Sequence, residues 1–241
     1  MITVIIPVHN EQDNIETLLK EISAAAHTAL ISEVIYIDDG STDKTLETLE
    51  NMRKEMPMLR IIKHSVRAGQ SAAFMSGIRA AGNSLIVLMD GDGQNDPKDI
   101  AALHDCYKHH STQYEKIMIT GQRVKRHDNV IRRISSRLAN KIRSSVLKDQ
   151  IRDTGCSLKL IRREDYLRLP YFDHMHRFLP ALLMRDHVKI LTVDVSHRPR
   201  DRGTSKYGFW DRLWVGIIDL IGARWLLSRG TADNFKTQEI L

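Results

Sequence analysis

Two aspartates one residue apart, Asp90 and Asp92, follow a run of five apolar residues at 85–89, and Gln94 stands two positions further on. Carboxylates this close repel each other unless positive charge sits between them. A divalent cation carrying a diphosphate meets that demand, because hard cations take oxygen ligands and often share them with substrate phosphates. A short run that is apolar on both faces reads as a parallel strand covered on both sides. Ligands of open α/β sheets bind beyond the carboxyl ends of such strands. The competing reading is an acidic turn that opens the next helix, with Asp96 as N-cap and Pro97 as first helical residue.

Two similar clusters occur earlier. Asn10 and Glu11 follow an apolar strand at 2–8 that contains Pro7, and Asp38 and Asp39 follow a second strand at 34–37. One such cluster is a cap or a turn. Three at the carboxyl edge of one parallel sheet converge on a crevice, with Pro7 and Gly40 shaping the turns around it.

The elements that must position these groups alternate. Ile15, Leu18, Leu19 and Ile22 recur at helical spacing within 10–26, and further helices are predicted over 44–56 and 70–81. Strands are predicted at 59–64, 117–120, 157–161 and 189–195. The helix at 70–81 is rich in small residues, which suits close packing on a sheet. Strands alternating with helices of about 10–15 residues imply crossover units and a mostly parallel α/β sheet.

At 241 residues the chain has room for one large α/β domain or a core with a small appendage. A hydrophobic content of 42% and a charged content of 27% argue against disorder. The net charge of +6 invites an anionic partner such as a nucleotide, a phospholipid surface or nucleic acid. Cys106 and Cys156 make neither a metal spacing nor a disulfide framework, so a reduced, cytoplasmic setting is expected. The first residues lack the basic start of a signal peptide, and no uncharged apolar stretch of about 18 residues predicts a membrane span.

The segments 5–11 (Ile-Ile-Pro-Val-His-Asn-Glu), 37–43 (Ile-Asp-Asp-Gly-Ser-Thr-Asp) and 90–97 (Asp-Gly-Asp-Gly-Gln-Asn-Asp-Pro) resemble the signature of family 2 glycosyltransferases. The later stretch 197–208 (His-Arg-Pro-Arg-Asp-Arg-Gly-Thr-Ser-Lys-Tyr-Gly) resembles the narrower branch that makes polyprenyl-phosphate sugars, as dolichol-phosphate mannose synthase does. The resemblance implies a GT-A fold, Rossmann-like, with a nucleotide-sugar donor (UDP- or GDP-linked), Mg²⁺ or Mn²⁺, and inversion at the anomeric carbon. Carried over by position, Pro7, Asn10 and Glu11 line the nucleoside end, and Asp38 or Asp39 contacts base or ribose. Asp90 and Asp92, with Gln94, hold metal and diphosphate. Arg67 and Gly69 lie on the loop before the small-residue helix. Arg123 fits an arginine facing the donor or acceptor phosphate.

Arg200, Arg202 and Lys206 fit a mobile loop, 197–207, that closes over the diphosphate. Arginine suits phosphate because its fork donates two parallel hydrogen bonds, and Gly203 and Ser205 supply mobility. The bland alternative is a solvated basic loop. Asp153 stands where relatives with hydroxyl acceptors keep an acid. It orients metal, sugar or acceptor, or simply ends a helix. A phosphate acceptor needs no general base, because its second pKa is about 6 and its oxygen is already anionic.

The chain is thus expected to divide into a catalytic domain at 1–207, with a basic segment at 121–148, and a helix with a polar tail at 208–241. Residues 210, 213, 214, 217, 221 and 225 are Trp, Leu, Trp, Ile, Ile and Trp, one face of a helix. That is the make-up of an amphipathic helix lying in a membrane interface. The alternative is packing on the core or on a second copy in a homodimer. Basic residues at 121–148, nine against the single acid Asp128, suit an anionic surface. Relatives of this branch often carry transmembrane helices after this point; since the chain ends at Leu241, a peripheral enzyme on the cytoplasmic face is expected.

The expected activity is transfer of one sugar to a polyprenyl phosphate. A rival transferase would use a glycan or protein hydroxyl with Asp153 as base. A sugar-nucleotide pyrophosphorylase would need a glycine-rich, lysine-containing phosphate loop after the first strand, and none is found there. A non-enzymatic nucleic-acid binder would use the 121–148 patch, which lacks aromatic stacking residues, so no nucleic acid is expected as partner.

Overall fold

Alternation along the first strand sets the layers. In β1 (Ile2–Val8) the side chains of Val4 and Ile6 join one apolar cluster and that of Ile5 the other, as the two-residue repeat of a strand requires. One face is covered by α1 (Gln12–Ala25), α2 (Thr45–Glu55) and α4 (Asp99–His110) through Ile15, Ile22, Leu49 and Leu103. The other is covered by α3 (Gln70–Ala80), α5 (Arg163–Leu167), α6 (Leu179–Arg185) and α7 (Phe209–Leu227). The structure is a computed structural model that describes residues 1–124, 143–147, 149, 151, 153–199 and 209–229, with 209–215 described by backbone alone.

Among the described residues, seven strands form one sheet in the order β3-β2-β1-β4-β6-β5-β7. The others are β2 (Ile31–Asp39), β3 (Leu59–His64), β4 (Leu85–Leu88), β5 (Ile117–Arg123), β6 (Lys159–Arg162) and β7 (Lys189–Val195). β1 pairs in parallel with β2 and β4, β2 with β3, and β5 with β7. β6 runs antiparallel to both β4 and β5. The carboxyl ends of the other six strands therefore share one edge, and β6 begins at that edge. The strand order reverses beside β1, which is where such sheets open a ligand crevice.

The small residues of α3 bring it close. A Cβ on Gly77 would stand 2.5 Å from Ile5 Cγ2 and 2.7 Å from Ile37 Cδ1. Several boundaries differ from the sequence reading. β5 runs on through Arg123 because its last residues continue the ladder with β7 as far as Val195. α1 starts at Gln12, since Asn10 adopts a left-handed φ of +55°. α4 starts at Asp99 rather than Pro97, because Asp96 and Pro97 form a turn in which the Asp96 carboxylate accepts the Lys98 N–H at 3.0 Å. Helices α5 and α6 and the 3₁₀ turn Met175–Arg177 fill a stretch for which periodicity predicts nothing.

Described members of the aromatic face on α7 are exposed: Ile221 is 65% and Trp225 58% accessible. Leu220, Ala223, Leu226 and Leu227 pack on the core instead. No helix among the described residues is long and apolar enough to cross a membrane.

Candidate active site

Two loops close the nucleoside end of the crevice. The Asn10 carboxamide accepts the Thr42 N–H at 2.8 Å, and the Asn10 N–H donates to Ser41 Oγ at 2.9 Å. These bonds fasten the end of β1 to the turn after β2. Glu11 N–H donates to Thr45 Oγ1 at 3.0 Å, and its carboxylate accepts Asn14 Nδ2 at 2.7 Å. Gly40 sits at φ +68°, and a Cβ there would stand 2.7 Å from the Arg67 backbone nitrogen. Glycine is thus required twice over, for conformation and for space.

The adjacent aspartates have different tasks. Asp39 accepts the N–H groups of Ala68 and Gly69 and a bond from His64 Nδ1, each at 2.8 Å. Burial works against its charge, yet these three donors hold its carboxyl below the usual range. Asp39 fastens the loop of Arg67 and Gly69 to β2. Asp38 is 0% exposed; one oxygen accepts the Ser41 N–H at 3.0 Å and the other has no partner among the described residues. An unsatisfied buried carboxylate oxygen is costly, and a donor on a ligand would satisfy it.

Asp90 and Asp92 leave β4 into the crevice. Gln70 Nε2 donates to Asp90 at 2.7 Å, and the Gln94 N–H donates to Asp92 at 3.2 Å. Burial and the charge of Asp92 push the Asp90 carboxyl above its ordinary range, against the opposing pull of Ser157, Lys159 and Gln70. A divalent cation removes that penalty, and the all-oxygen donor set suits Mg²⁺ or Mn²⁺. The residues therefore fit a metal. Among the described residues no group of three or more His, Cys, Asp or Glu side chains could by itself hold a metal ion.

Gly91 lets the motif lie against β1, since a Cβ there would come within 2.4 Å of Val8 Cγ1 and 3.3 Å of the Pro7 carbonyl. Gly91→Ala is expected to destabilise by about 2 kcal/mol through overpacking and to displace both carboxylates. Urea unfolding read beside turnover checks this; an unshifted midpoint with normal turnover would show that the loop simply gives way.

Arg123 ends β5 and meets Asp153. Its Nε and Nη2 donate to the two carboxylate oxygens at 2.7 Å each, and its backbone N–H adds a third bond at 3.2 Å. Burial disfavours the guanidinium charge, but Asp153 outweighs it and raises the Arg123 pKa. Beyond this pair lies a cavity of about 650 Å³ that runs from Asp90 to α7. Lys159, Arg143 and Arg177 give it positive charge, and Phe74, Phe178 and Leu220 are among its apolar walls. Lys159 is 4% exposed and donates to the backbone carbonyls of Thr154, at 3.4 Å, and Cys156. Burial lowers its pKa, and nearby Asp90 and Asp153 resist the fall.

Residues 3–169 match the Glycosyl transferase family 2. The chain belongs to this family. It is 33% identical over 235 residues to a dodecaprenyl-phosphate galacturonate synthase of Rhizobium johnstonii, covering 94% of this chain and 67% of that protein. It is 30% identical over 211 residues to an undecaprenyl-phosphate 4-deoxy-4-formamido-L-arabinose transferase of Photorhabdus laumondii, covering 86% of this chain and 63% of that one. The chain thus spans about two thirds of the length of these relatives. Among solved structures, the fold is similar to glucosyl-3-phosphoglycerate synthase of Mycobacterium tuberculosis with Mn²⁺ and UDP-Glc. The TM-score there is 0.67 at 20% identity, over 93% of this chain and 78% of that one. A mannosyltransferase of Pyrobaculum calidifontis with GDP-Man and Mn²⁺ gives 0.65 at 18% identity, over 96% and 66%. This family 2 glycosyltransferase therefore has a GT-A fold.

The sheet edge gathers Pro7, Asn10, Glu11, Asp38, Asp39, Asp90, Asp92 and Gln94 as the sequence expects, with Arg67 on the exposed loop beside them. The lid residues Arg200, Arg202 and Lys206 lie outside the described residues, as do most of the basic 121–148 segment and the side chains of Trp210 and Trp214. The approach to the lid is described. Arg198 bonds Glu21 through both carboxylate oxygens at 2.8 Å and pairs with Asp96 at 2.6 Å. Its backbone exchanges two bonds with Gln94, at 3.0 and 3.3 Å. Sequence reasoning missed Lys159, Ser157, Gln70 and His176. The signal for Lys159 was a lysine inside a short apolar strand, where burial forces a charge to find a purpose.

Proposed function

We propose that this glycosyltransferase moves one sugar from a UDP- or GDP-linked donor to a polyprenyl phosphate at a membrane surface. The observation that carries the reading is the cavity beyond Asp90, which joins cations to apolar walls. A phosphate with an isoprenoid tail needs both. The cavity is lined in part by Ile217 and Leu220 of α7, whose exposed Ile218, Ile221 and Trp225 suit the interface of a bilayer. The peripheral placement on the cytoplasmic face belongs to the same proposal; relatives named for polyprenyl-phosphate acceptors support contact with a membrane lipid.

In this reading Asp38 receives a donor from the nucleoside, with Asn10 and Glu11 holding the loop around it. Asp90 and Asp92, with Gln94 beside them, would hold a divalent cation. When bound, the cation supplies positive charge to the departing diphosphate. An acceptor phosphate oxygen attacks the anomeric carbon from the face opposite the diphosphate. One carbon–oxygen bond forms, the bond to the diphosphate breaks, and no proton must leave. That balance suits Asp153, whose two oxygens are already engaged by Arg123. A hydroxyl acceptor would need a base with an oxygen to spare. Arg123, oriented by Asp153, presents its charge beside the cavity.

A thermal-shift panel of UDP and GDP with Mn²⁺ or Mg²⁺ names the base and the metal, since stabilisation tracks occupancy. Transfer of labelled sugar to undecaprenyl phosphate then tests the acceptor. Lys159→Met is expected to lower kcat/KM for that acceptor about thirtyfold, the loss of one charge-assisted hydrogen bond, while nucleotide affinity stays within twofold. Equal activity on a neutral prenyl alcohol would overturn the reading.

A further inference from the structure

We propose that His176, with its tautomer set by Ser71, reads a hydroxyl of the transferred sugar through Nε2–H. The inference rests on the glycosyl-transfer reading above and adds the residue that recognises the sugar. Ser71 lies in the first turn of α3 and is 3% exposed. Its Oγ stands 2.8 Å from His176 Nδ1 and accepts the His176 backbone N–H at 3.3 Å. The buried hydroxyl hydrogen has no other acceptor among the described residues, so it goes to Nδ1. Burial and the charges of Lys159, Arg177 and His174 push the ring down to about 3, so it is neutral at working pH. A neutral ring that accepts at Nδ1 carries its hydrogen on Nε2.

The ring also meets Phe74 with centroids 6.3 Å apart, which fixes its plane. His176, Lys159 and Asp90 line the same cavity. A sugar attached to a diphosphate at Asp90 extends into that space. An anion against the ring would favour the imidazolium, which the neighbouring cations oppose. A neutral hydroxyl makes no such demand. The two roles therefore divide between side chains: cations for the acceptor phosphate, a neutral donor for the sugar. Ser71 acts as the positioning residue.

The test compares bare nucleotide with sugar nucleotide. Calorimetry with Mn²⁺ measures UDP against UDP-glucose and UDP-galacturonate, and GDP against GDP-mannose. His176→Phe keeps a ring and removes the donor; it is expected to bind nucleoside diphosphate as wild type does and to lose about tenfold in kcat/KM for the preferred sugar nucleotide. His176→Gln, with an amide hydrogen near the Nε2 position, should recover most of that. Ser71→Ala should turn the ring into a mixture of tautomers, read from ¹⁵N shifts, with an intermediate loss. An unchanged kcat/KM in His176→Phe would overturn the proposal, as would protonation of the ring on adding geranyl phosphate, which would assign it to the acceptor. If the wild type binds no sugar nucleotide, the glycosyl-transfer reading falls first and this one with it.

Discussion

Asp92→Asn is expected to reduce turnover by about a thousandfold or more, the loss of metal-borne charge on a leaving diphosphate, while the fold survives. The apoprotein should not weaken. Asp90 is held above its ordinary carboxyl range by burial and by the charge of Asp92, and removing that charge relieves Asp90. The sign follows from linkage. A carboxyl raised in the folded state contributes stability below its unfolded pKa of about 3.9 and loses it as pH rises through the folded value. Wild-type apoprotein should therefore weaken as pH climbs from the acid side towards neutrality. Asp92→Asn should flatten that fall. Added Mn²⁺ with nucleoside diphosphate should restore the wild type at neutral pH and leave the variant unmoved. Thermal unfolding across pH, with and without metal, reads all of this beside activity. A variant that keeps near-normal turnover in the presence of chelator would remove the metal from Asp92.

The parts of this fold that sequence discloses are those built from local repetition. Ile15, Leu18, Leu19 and Ile22 announce one face of α1, and all four are buried. The runs that end at Val8, Ile37 and Met89 place their polar followers on one edge because parallel strands must align their ends. Parallel pairing itself needs only the alternation of strands and helices. The reversal of β6 leaves no such trace, since its direction depends on pairing with β4 and β5. The helix α7 shows a second limit. Its spacing displays a stripe at 217, 221 and 225, but the helix is apolar on more than one side. Only the packing of Leu220, Ala223 and Leu227 decides which side the core takes.

Site residues divide in the same way. The type and spacing of Asp90, Asp92 and Gln94 carry their chemistry on their face, because close carboxylates after a strand demand a counter-charge. Which of Asp38 and Asp39 stays available for a ligand is invisible at that level. The answer lies in the N–H groups of Ala68 and Gly69, about thirty residues away, which claim Asp39. His176 meets Ser71 across 105 positions, in a stretch without helical or strand periodicity. Long-range partners of this sort are a property of the folded sheet edge.

Arg123 and Asp153 carry the largest expected effect on stability. Asp153→Asn removes the charge that holds a guanidinium in a water-poor place, and a cost of about 3 kcal/mol is expected for leaving it unpaired. Arg123→Met alone should cost a comparable amount by stranding Asp153. The double variant Arg123→Met with Asp153→Leu should recover much of the loss, because replacing both members of a buried pair by apolar groups is often near neutral. Chemical denaturation of the wild type, Arg123→Met, Asp153→Leu and the double variant completes the cycle, and strong non-additivity is the expected result. Activity separates the two roles that Asp153 can have. If it orients Arg123, Asp153→Asn lowers turnover on undecaprenyl phosphate without altering the pH at which the rate rises. A general base would instead impose its own ionisation on the rate, so the rise with pH would vanish in the variant. A pH–rate profile that loses its acid limb in Asp153→Asn, with stability preserved, would reassign Asp153 to proton removal and the enzyme to a hydroxyl acceptor.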